Sequence, residues 1–521
     1  MTRPVPMTFG ALLRESADRH PDKIAVVGYR GATRHVLSYR DLDLAANRLA
    51  NALVRDGFAK MPDRPGSRLA IMAPNDIDYP VVHFGAARAG CPLAHISIRA
   101  NEAGRAAMLA LVDAEALFVH CDFAHEARGL LDSVPRLKRL IFIGDDRGSD
   151  TLVAFIGDAA DNDAPVVIAP EDPAAITFSS GSTGEPKGVL VSHRNRSTSS
   201  QIGADIFELT DDDILGCTTP LFHVAGLFLW FQMGIRRGLP IVLIEKWAPD
   251  LFADAVSHDG VTAAFLVPTQ LTGLLNDVTS AASLDGLRFL NISGAPCPTV
   301  LLKQARATWP DKVVVEHYGQ SESCPLAYRP ATFADKKPDS AGRPCVEMAI
   351  LDRDGTPMLQ GEAGEVATRG SHTLIGYIGD EAGTQALYVG DAWLKSGDIG
   401  RIDEDGFLHL IDRLKDIIIS GGENIFPAEV ERALYQHPAV HECAVFGVPH
   451  DKWGEVPAAH VVKTEGIPDE ATLIAFVEQQ IPHYKRPRFI KFVKALPRTA
   501  IGKVQKNIIR AEYWKGRERM I

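Results

Sequence analysis

A run of small hydroxylated and glycyl residues leads from an apolar segment to a lysine at Thr177–Val189, TFSSGSTGEPKGV. Glycines let successive backbone N–H groups turn toward a common point, which is the way a loop cradles phosphate oxygens. Gly181 and Gly184 supply that freedom, Ser179, Ser180, Ser182 and Thr183 add donors, and Lys187 adds a positive charge. A Walker A loop needs GxxxxGK[ST], and Gly184-Glu-Pro-Lys-Gly188 breaks that spacing. The Pro-Lys-Gly ending also does not suit an amidase of the serine–serine–lysine kind. An exposed flexible loop is the plain competing reading. A second constellation is Tyr318-Gly319-Gln320-Ser321-Glu322, again after an apolar run. A carboxylate there suits Mg²⁺ beside a triphosphate. The same stretch approaches a GxSxG nucleophile elbow with Ser321 as nucleophile, but Ser323 stands where the sharp turn needs glycine.

These residues need a scaffold, and the first three hundred positions supply short apolar runs alternating with amphipathic helices, the pattern of layered α/β structure. Ser38 and Asp41 form a capping-box pattern ahead of Leu42, Ala45, Ala46, Leu49 and Leu53 on one helical face, with Gly57 as the stop. Strands are predicted at 68–73, 116–120, 140–144, 174–178, 241–245, 261–267, 287–293 and 313–318, and a helix ends near Gly90. The apolar run from Phe222 to Ile235 reads as a core helix. From about Ala341 to Leu410, Gly-rich turns between short strands predict a small β-rich subdomain. The pattern changes again near Asp412–Asp416. Beyond it lie roughly a hundred residues, enough for a small α+β domain, with strands at 417–420, 442–448, 458–462 and 489–493 and helices at 427–437 and 470–480.

The chain has 521 residues, too many for a single core, so at least two domains are expected. A net charge of −11 argues against a surface that coats nucleic acid. Cys91, Cys121, Cys217, Cys297, Cys324, Cys345 and Cys443 are scattered and include no CxxC pair, so neither a disulfide framework nor a structural zinc is indicated. The reading is thiols in a reducing compartment. No secretory signal and no membrane span are expected, and cytoplasm is the default.

Several motifs in order then resemble the adenylate-forming superfamily of acyl-CoA synthetases, firefly luciferase and peptide-synthetase adenylation domains, over nearly the whole chain. They are the Thr177–Val189 loop, Ser293-Gly-Ala-Pro296, Tyr318–Glu322 with Ser321 for the family's Thr, Ser396-Gly-Asp398, Asp412-Arg-Leu-Lys-Asp416, Ser420-Gly-Gly-Glu-Asn-Ile425 and Pro497-Arg-Thr-Ala-Ile-Gly-Lys503. The resemblance implies an α/β chain with a large N-terminal domain of layered α/β subdomains plus the small β-rich subdomain over 1–412. It further implies a hinge at 413–415 around Lys415 and a small mobile α+β C-terminal domain over 416–521.

By the same resemblance the Ser179–Gly184 loop and Lys187 bind ATP phosphates, and Gly294, Ala295 and Pro296 contact adenine. Tyr318 stacks on that base beside Gly319 and Gln320, Ser321 bonds the α-phosphate, and Glu322 with Ser179 holds Mg²⁺. Asp398 and Arg413 reach the ribose, Gly421 and Gly422 line a path for the pantetheine arm of coenzyme A, and Lys503 is the catalytic lysine. Ile501 departs from the small or polar residue usual near it. His223, Trp230, Gly294 and Gly319 fall at the acid pocket, which the family draws from Phe222–Met233, Val267–Leu271, Gly294–Pro296 and Tyr318–Cys324. A lone histidine on an apolar helix is more often a packed core residue, and His223 is given no proton-transfer role.

The implied reaction has two halves. A carboxylate attacks the α-phosphate of ATP and expels pyrophosphate, then the small domain swings about Lys415 and the CoA thiolate displaces AMP. Pocket stretches without a basic residue predict a hydrophobic monocarboxylic acid: medium-chain, alicyclic or aryl. Three alternatives stand beside this reading: adenylation that loads a carrier protein or uses oxygen, a serine hydrolase using Ser321, and a catalytically silent nucleotide-binding regulator.

Overall fold

The computed structural model describes residues 7–515 apart from 146–147, 181–185, 283, 335, 464–468 and 499–503. Among them two compact units form, one drawn from 7–180, 186–347 and 368–388, the other from 348–367 and 389–515. This division does not coincide with a boundary at 412. Strand Leu408–Arg413 bonds to the C-terminal segment: the Asp412 carboxylate accepts from the Ala428 N–H at 2.7 Å.

The first unit is built on two sheets. One has seven strands, in the order Gly376–Tyr377, Pro186–Ser192, Pro173–Ser180, Leu93–His95, Leu69–Met72, Ala116–His120 and Arg139–Ile143. From Pro173–Ser180 to Arg139–Ile143 the pairings are parallel. Their sequences are continuous apolar runs (LAIM, ALFVH, RLIFI) because both faces of a parallel sheet are covered. The other sheet has nine strands and runs from Arg343–Pro344 to the hairpin Ile24–Arg30 and Thr33–Ser38. Helix Tyr79–Arg88 is buried from Tyr79 to Ala87, and helix His193–Ile206 touches strands of both sheets. The capping box at Ser38 is present, with the Ser38 hydroxyl and the Asp41 carboxylate closing helix Tyr39–Arg55 reciprocally.

Where a core helix was expected over 222–235, the chain instead makes a wider π-helical turn, Ala225–Phe231, before the α-helix Gln232–Arg237. Residues Gly226 to Arg236 are all buried there. Two further differences matter for the site. The glycine-rich loop leaves through a strand, Pro186–Ser192, that returns antiparallel to Pro173–Ser180. Strand Val313–Gln320 does not lead to a helix but turns back on itself as Ser323–Arg329.

The second unit has a five-stranded sheet centred on Trp393–Ile402, with Leu408–Arg413 antiparallel beside it. Its second five-stranded sheet is dominated by the long hairpin Val440–His450 and Gly454–Lys463. Helices Pro427–Tyr435 and Glu470–Glu478 contribute to the core on that sheet. All seven cysteines are free, and no helix among the described residues is long and apolar enough to cross a membrane.

Candidate active site

In the first unit two hairpins and a short edge strand bring together residues far apart in sequence. Ser179 and Lys187 stand opposite each other across the first hairpin. In the second, Gln320 pairs with Ser323, which leaves Ser321 and Glu322 as a two-residue turn. A Cβ added at Gly319 would lie 3.0 Å from the Cys324 Cβ, so the approach of the two strands favours glycine.

Glu322 is the meeting point. Its Oε1 accepts the Ser179 hydroxyl at 3.1 Å and the Tyr377 hydroxyl at 2.8 Å, and its carbonyl accepts the Leu374 N–H at 2.9 Å. The Tyr377 phenol is held protonated by burial and then by the neighbouring Glu322 charge, so it remains a donor. Lys187 lies 4.6 Å from the centre of the Tyr377 ring and 3.0 Å from the Asp380 carboxylate. Asp380 is anchored by the Gly383 N–H, and that bond together with Lys187 keeps its carboxyl below the usual range. Tyr377 and Asp380 were not assigned from the sequence. They sit in a short glycine-punctuated stretch with no periodicity, and only the pairing of Gly376–Tyr377 with Pro186–Ser192 carries them here.

The Ser293–Pro296 stretch, expected to contact adenine, follows strand Phe289–Ile292. Gly294 has φ +86°, Gly294 and Pro296 are exposed, and Ala295 is half-buried. The Ser293 hydroxyl ties this turn to the His317 carbonyl at 2.7 Å. Tyr318, Gly319 and Gln320 are half-buried on the strand that ends in the Ser321–Glu322 turn. Of the loop expected to bind phosphate, Gly181, Ser182, Thr183 and Gly184 lie outside the described residues. Ser180 is placed by its backbone only, at the end of its strand.

Of the residues expected at the acid pocket, Trp230 differs from expectation. Trp230 is 1% exposed, its indole N–H bonded to the Gly216 carbonyl at 3.0 Å and its ring stacked on Phe289. It fills the core between the π-helical turn and the nine-stranded sheet and presents no surface to an acid. His223 precedes the helical segment. Its Nε2 is buried without a hydrogen-bond partner among the described residues, and burial, followed by the charge of Arg99, lowers its pKa to about 3. The imidazole is therefore neutral.

The hydrolase alternative loses its geometry here. A nucleophile elbow passes from strand to helix, whereas Ser321 sits in a strand-to-strand turn. His317, four residues away, is bonded to Asn291 at 2.9 Å and is neutral, its pKa lowered by burial to about 3.

The second unit holds its own cluster. Asp398 and Arg413 are directly opposed on neighbouring strands, with the Arg413 Nε 2.7 Å from the carboxylate. Asp398 is 5% exposed, and its N–H bonds the Ser396 hydroxyl at 3.0 Å. Lys415 is exposed in the short turn Leu414–Asp416. Gly421 and Gly422 form the two-residue turn of a hairpin in which Ser420 pairs with Glu423, with φ of +61° and +90°. That is type I′ geometry, which alone demands residues tolerant of positive φ at both positions. Lys503 lies outside the described residues.

Known proteins match this chain over nearly its whole length. The model of the AMP-binding enzyme family matches residues 13–378, and that of the AMP-binding enzyme C-terminal domain matches 429–503. Among curated relatives, an indoleacetate–CoA ligase of Aromatoleum aromaticum is 33% identical over 510 residues, covering 96% of this chain and 97% of its own. A feruloyl-CoA synthase of an Amycolatopsis species is 33% identical over 492 residues, covering 92% and 96%. Among solved structures, ATP-bound MatB from Rhodopseudomonas palustris superposes with a TM-score of 0.88 at 27% identity, covering 97% of this chain and 99% of that one. The chain belongs to the AMP-binding enzymes of the adenylate-forming superfamily and, within them, to the ATP-dependent acid–thiol ligases.

Proposed function

We propose that this ligase activates a hydrophobic monocarboxylic acid, aryl or arylalkyl in character, as its acyl-adenylate and transfers the acyl group to coenzyme A. The observation that carries the adenylation site is the convergence on Glu322 of hydroxyls from residues 143 and 55 positions away, with Lys187 beside them. The Glu322 carboxylate and the Ser179 hydroxyl are hard oxygen donors 3.1 Å apart in a half-buried setting, a donor set that suits Mg²⁺. A cation held there would offset phosphate charge. Lys187, released from Asp380, would face the phosphates, and Ser321 would donate to the α-phosphate oxygen.

An oxygen of the acid's carboxylate bonds to the α-phosphorus as the bond to the pyrophosphate oxygen breaks. Negative charge grows on the phosphoryl oxygens, so fixed donors and cations lower the barrier more than they stabilise bound ATP. Asp398, preset by Arg413, would accept the ribose hydroxyls. Lys503 is assigned the cation on the reacting phosphate by resemblance. Rotation about Lys415 would then withdraw it and bring the Gly421-Gly422 turn to the thiol's path, where sulfur attacks the acyl carbon and AMP leaves.

The acid class is supported by the neutral imidazole of His223, which stands next to the apolar side chain of Phe222. The relatives named for indoleacetate and ferulate point the same way. Pyrophosphate release measured over aryl, arylalkyl, medium-chain and dicarboxylic acids, with and without CoA, tests it. Aryl and arylalkyl acids should react best and CoA should turn acyl-AMP into thioester. Activity confined to dicarboxylates would contradict the acid class, and acyl-AMP that CoA fails to consume would contradict the acceptor.

A further inference from the structure

Arg196 is a fully buried cation that no part of the reaction scheme uses. It lies in helix His193–Ile206, which opens with the Ser192–Asn195 capping box directly after the strand carrying Lys187. Its side chain is among the largest completely enclosed ones in the chain, at 0% exposure. A buried guanidinium normally faces a carboxylate. This one does not. Its Nη2 donates to the Ser321 carbonyl, Nη1 reaches the Ser199 hydroxyl at 3.4 Å and the Cys324 sulfur at 3.5 Å, and its Cζ lies 5.6 Å from the Phe228 ring centre. Nε has no partner among the described residues. The carboxylate that acts on it electrostatically is Glu322, the residue after the carbonyl it holds.

We infer that Arg196 is a positioning residue for the nucleotide–metal site: it grips the Ser321–Glu322 turn at the Ser321 carbonyl and so sets the direction of the Glu322 carboxylate. The inference rests on the reading of Glu322 as the metal-holding group. The turn has two residues, and each is held at its backbone carbonyl, Ser321 by Arg196 and Glu322 by the Leu374 N–H. A two-residue turn held at one carbonyl only could pivot about the other bond. The Arg196 charge also offsets repulsion between Glu322 and incoming phosphates without touching either. An apolar side chain of similar length would fill the space and supply neither effect. Merely filling the core would not need a guanidinium, whose burial unpaired is costly.

The test is calorimetric binding of ATP in the presence of Mg²⁺ and, separately, in EDTA, to the wild type, Arg196→Met, Arg196→Lys, Glu322→Gln and the Arg196→Met/Glu322→Gln double variant. Arg196→Met should weaken Mg·ATP binding about tenfold, the loss of one charged hydrogen bond, while ATP in EDTA binds nearly as before. Arg196→Lys, which keeps the charge but not the fork, should fall between and serves if the Met variant does not fold. The double variant should be no worse than Glu322→Gln alone. Equal losses with and without Mg²⁺ would mark Arg196 as a general packing residue and overturn the inference, as would wild-type Mg·ATP binding in both Arg196 variants. If Glu322→Gln itself leaves Mg·ATP binding intact, the metal assignment fails first and the positioning role fails with it.

Discussion

At the scale of single residues, the site depends on how many donors converge on one carboxylate. Tyr377→Phe removes one of the two hydroxyls on Glu322 Oε1 and leaves the ring beneath Lys187 in place. A hydrogen bond to a charged group contributes about 1.5–3 kcal/mol, so adenylation turnover should fall roughly tenfold or more in a pyrophosphate-release assay, with little change in thermal stability. Glu322→Gln should cost more, because it removes the charge as well. The sequence named Ser179, Lys187, Ser321 and Glu322 because each stands in a dense local pattern of glycines and hydroxyls. It did not reveal Tyr377, Asp380 or Arg196. Their partners are long-range, and a lone tyrosine, aspartate or arginine carries no local mark of the group it will meet. Trp230 failed the other way: its position suggested the pocket, but its indole N–H found a backbone carbonyl inside the core.

At the scale of elements, tight turns present the chemistry, and their geometry explains glycines for which the resemblance supplied only a role. The Gly421-Gly422 hairpin turn needs positive φ at both positions. Gly422→Ala meets open space, so its penalty is conformational, about 1 kcal/mol. Gly421→Ala would also press a Cβ to 2.7 Å from the Trp453 ring and should destabilise the second unit further. Thermal unfolding of the two variants should rank them in that order. If Gly422→Ala also slows thioester formation while adenylation keeps its rate, the turn serves the thiol's path as well as the fold. Most parallel strands and the Ser38 capping box were legible because apolar runs and caps are local signals, whereas the three-residue strands Leu93–His95 and Leu215–Cys217 were too short to show a pattern. The Pro186–Ser192 strand was hidden by the loop composition preceding it. The hairpin at Ser321–Glu322 was hidden because its return strand contains Pro325 and reads as irregular.

At the scale of the whole molecule, acid should be harmful well before the carboxylates titrate. His83, His193 and His317 are buried and neutral, with pKa values lowered, chiefly by burial, to about 4, about 3 and about 3. In the unfolded chain they take up protons near pH 6.5. Their stabilising contribution is therefore complete above about pH 6.5 and is lost as pH falls toward the folded values, on the order of 2 kcal/mol each by pH 5. Thermal unfolding between pH 7.5 and 5 should show a steep fall in Tm. A flat profile would mean that these histidines find proton-accepting partners. The order of motifs along the chain conveyed the two-part architecture, whereas the packing of strand Leu408–Arg413 with the C-terminal segment was invisible, since it depends on contacts such as Asp412 with Ala428. The most direct check of the account is a CoA-free, single-turnover measurement of acyl-AMP and pyrophosphate from ATP and an arylalkyl acid, in the wild type, Glu322→Gln and Lys503→Ala. Stoichiometric acyl-AMP from the wild type, with both variants slower by about a hundredfold or more, is the predicted result. Equal rates in all three proteins would contradict it.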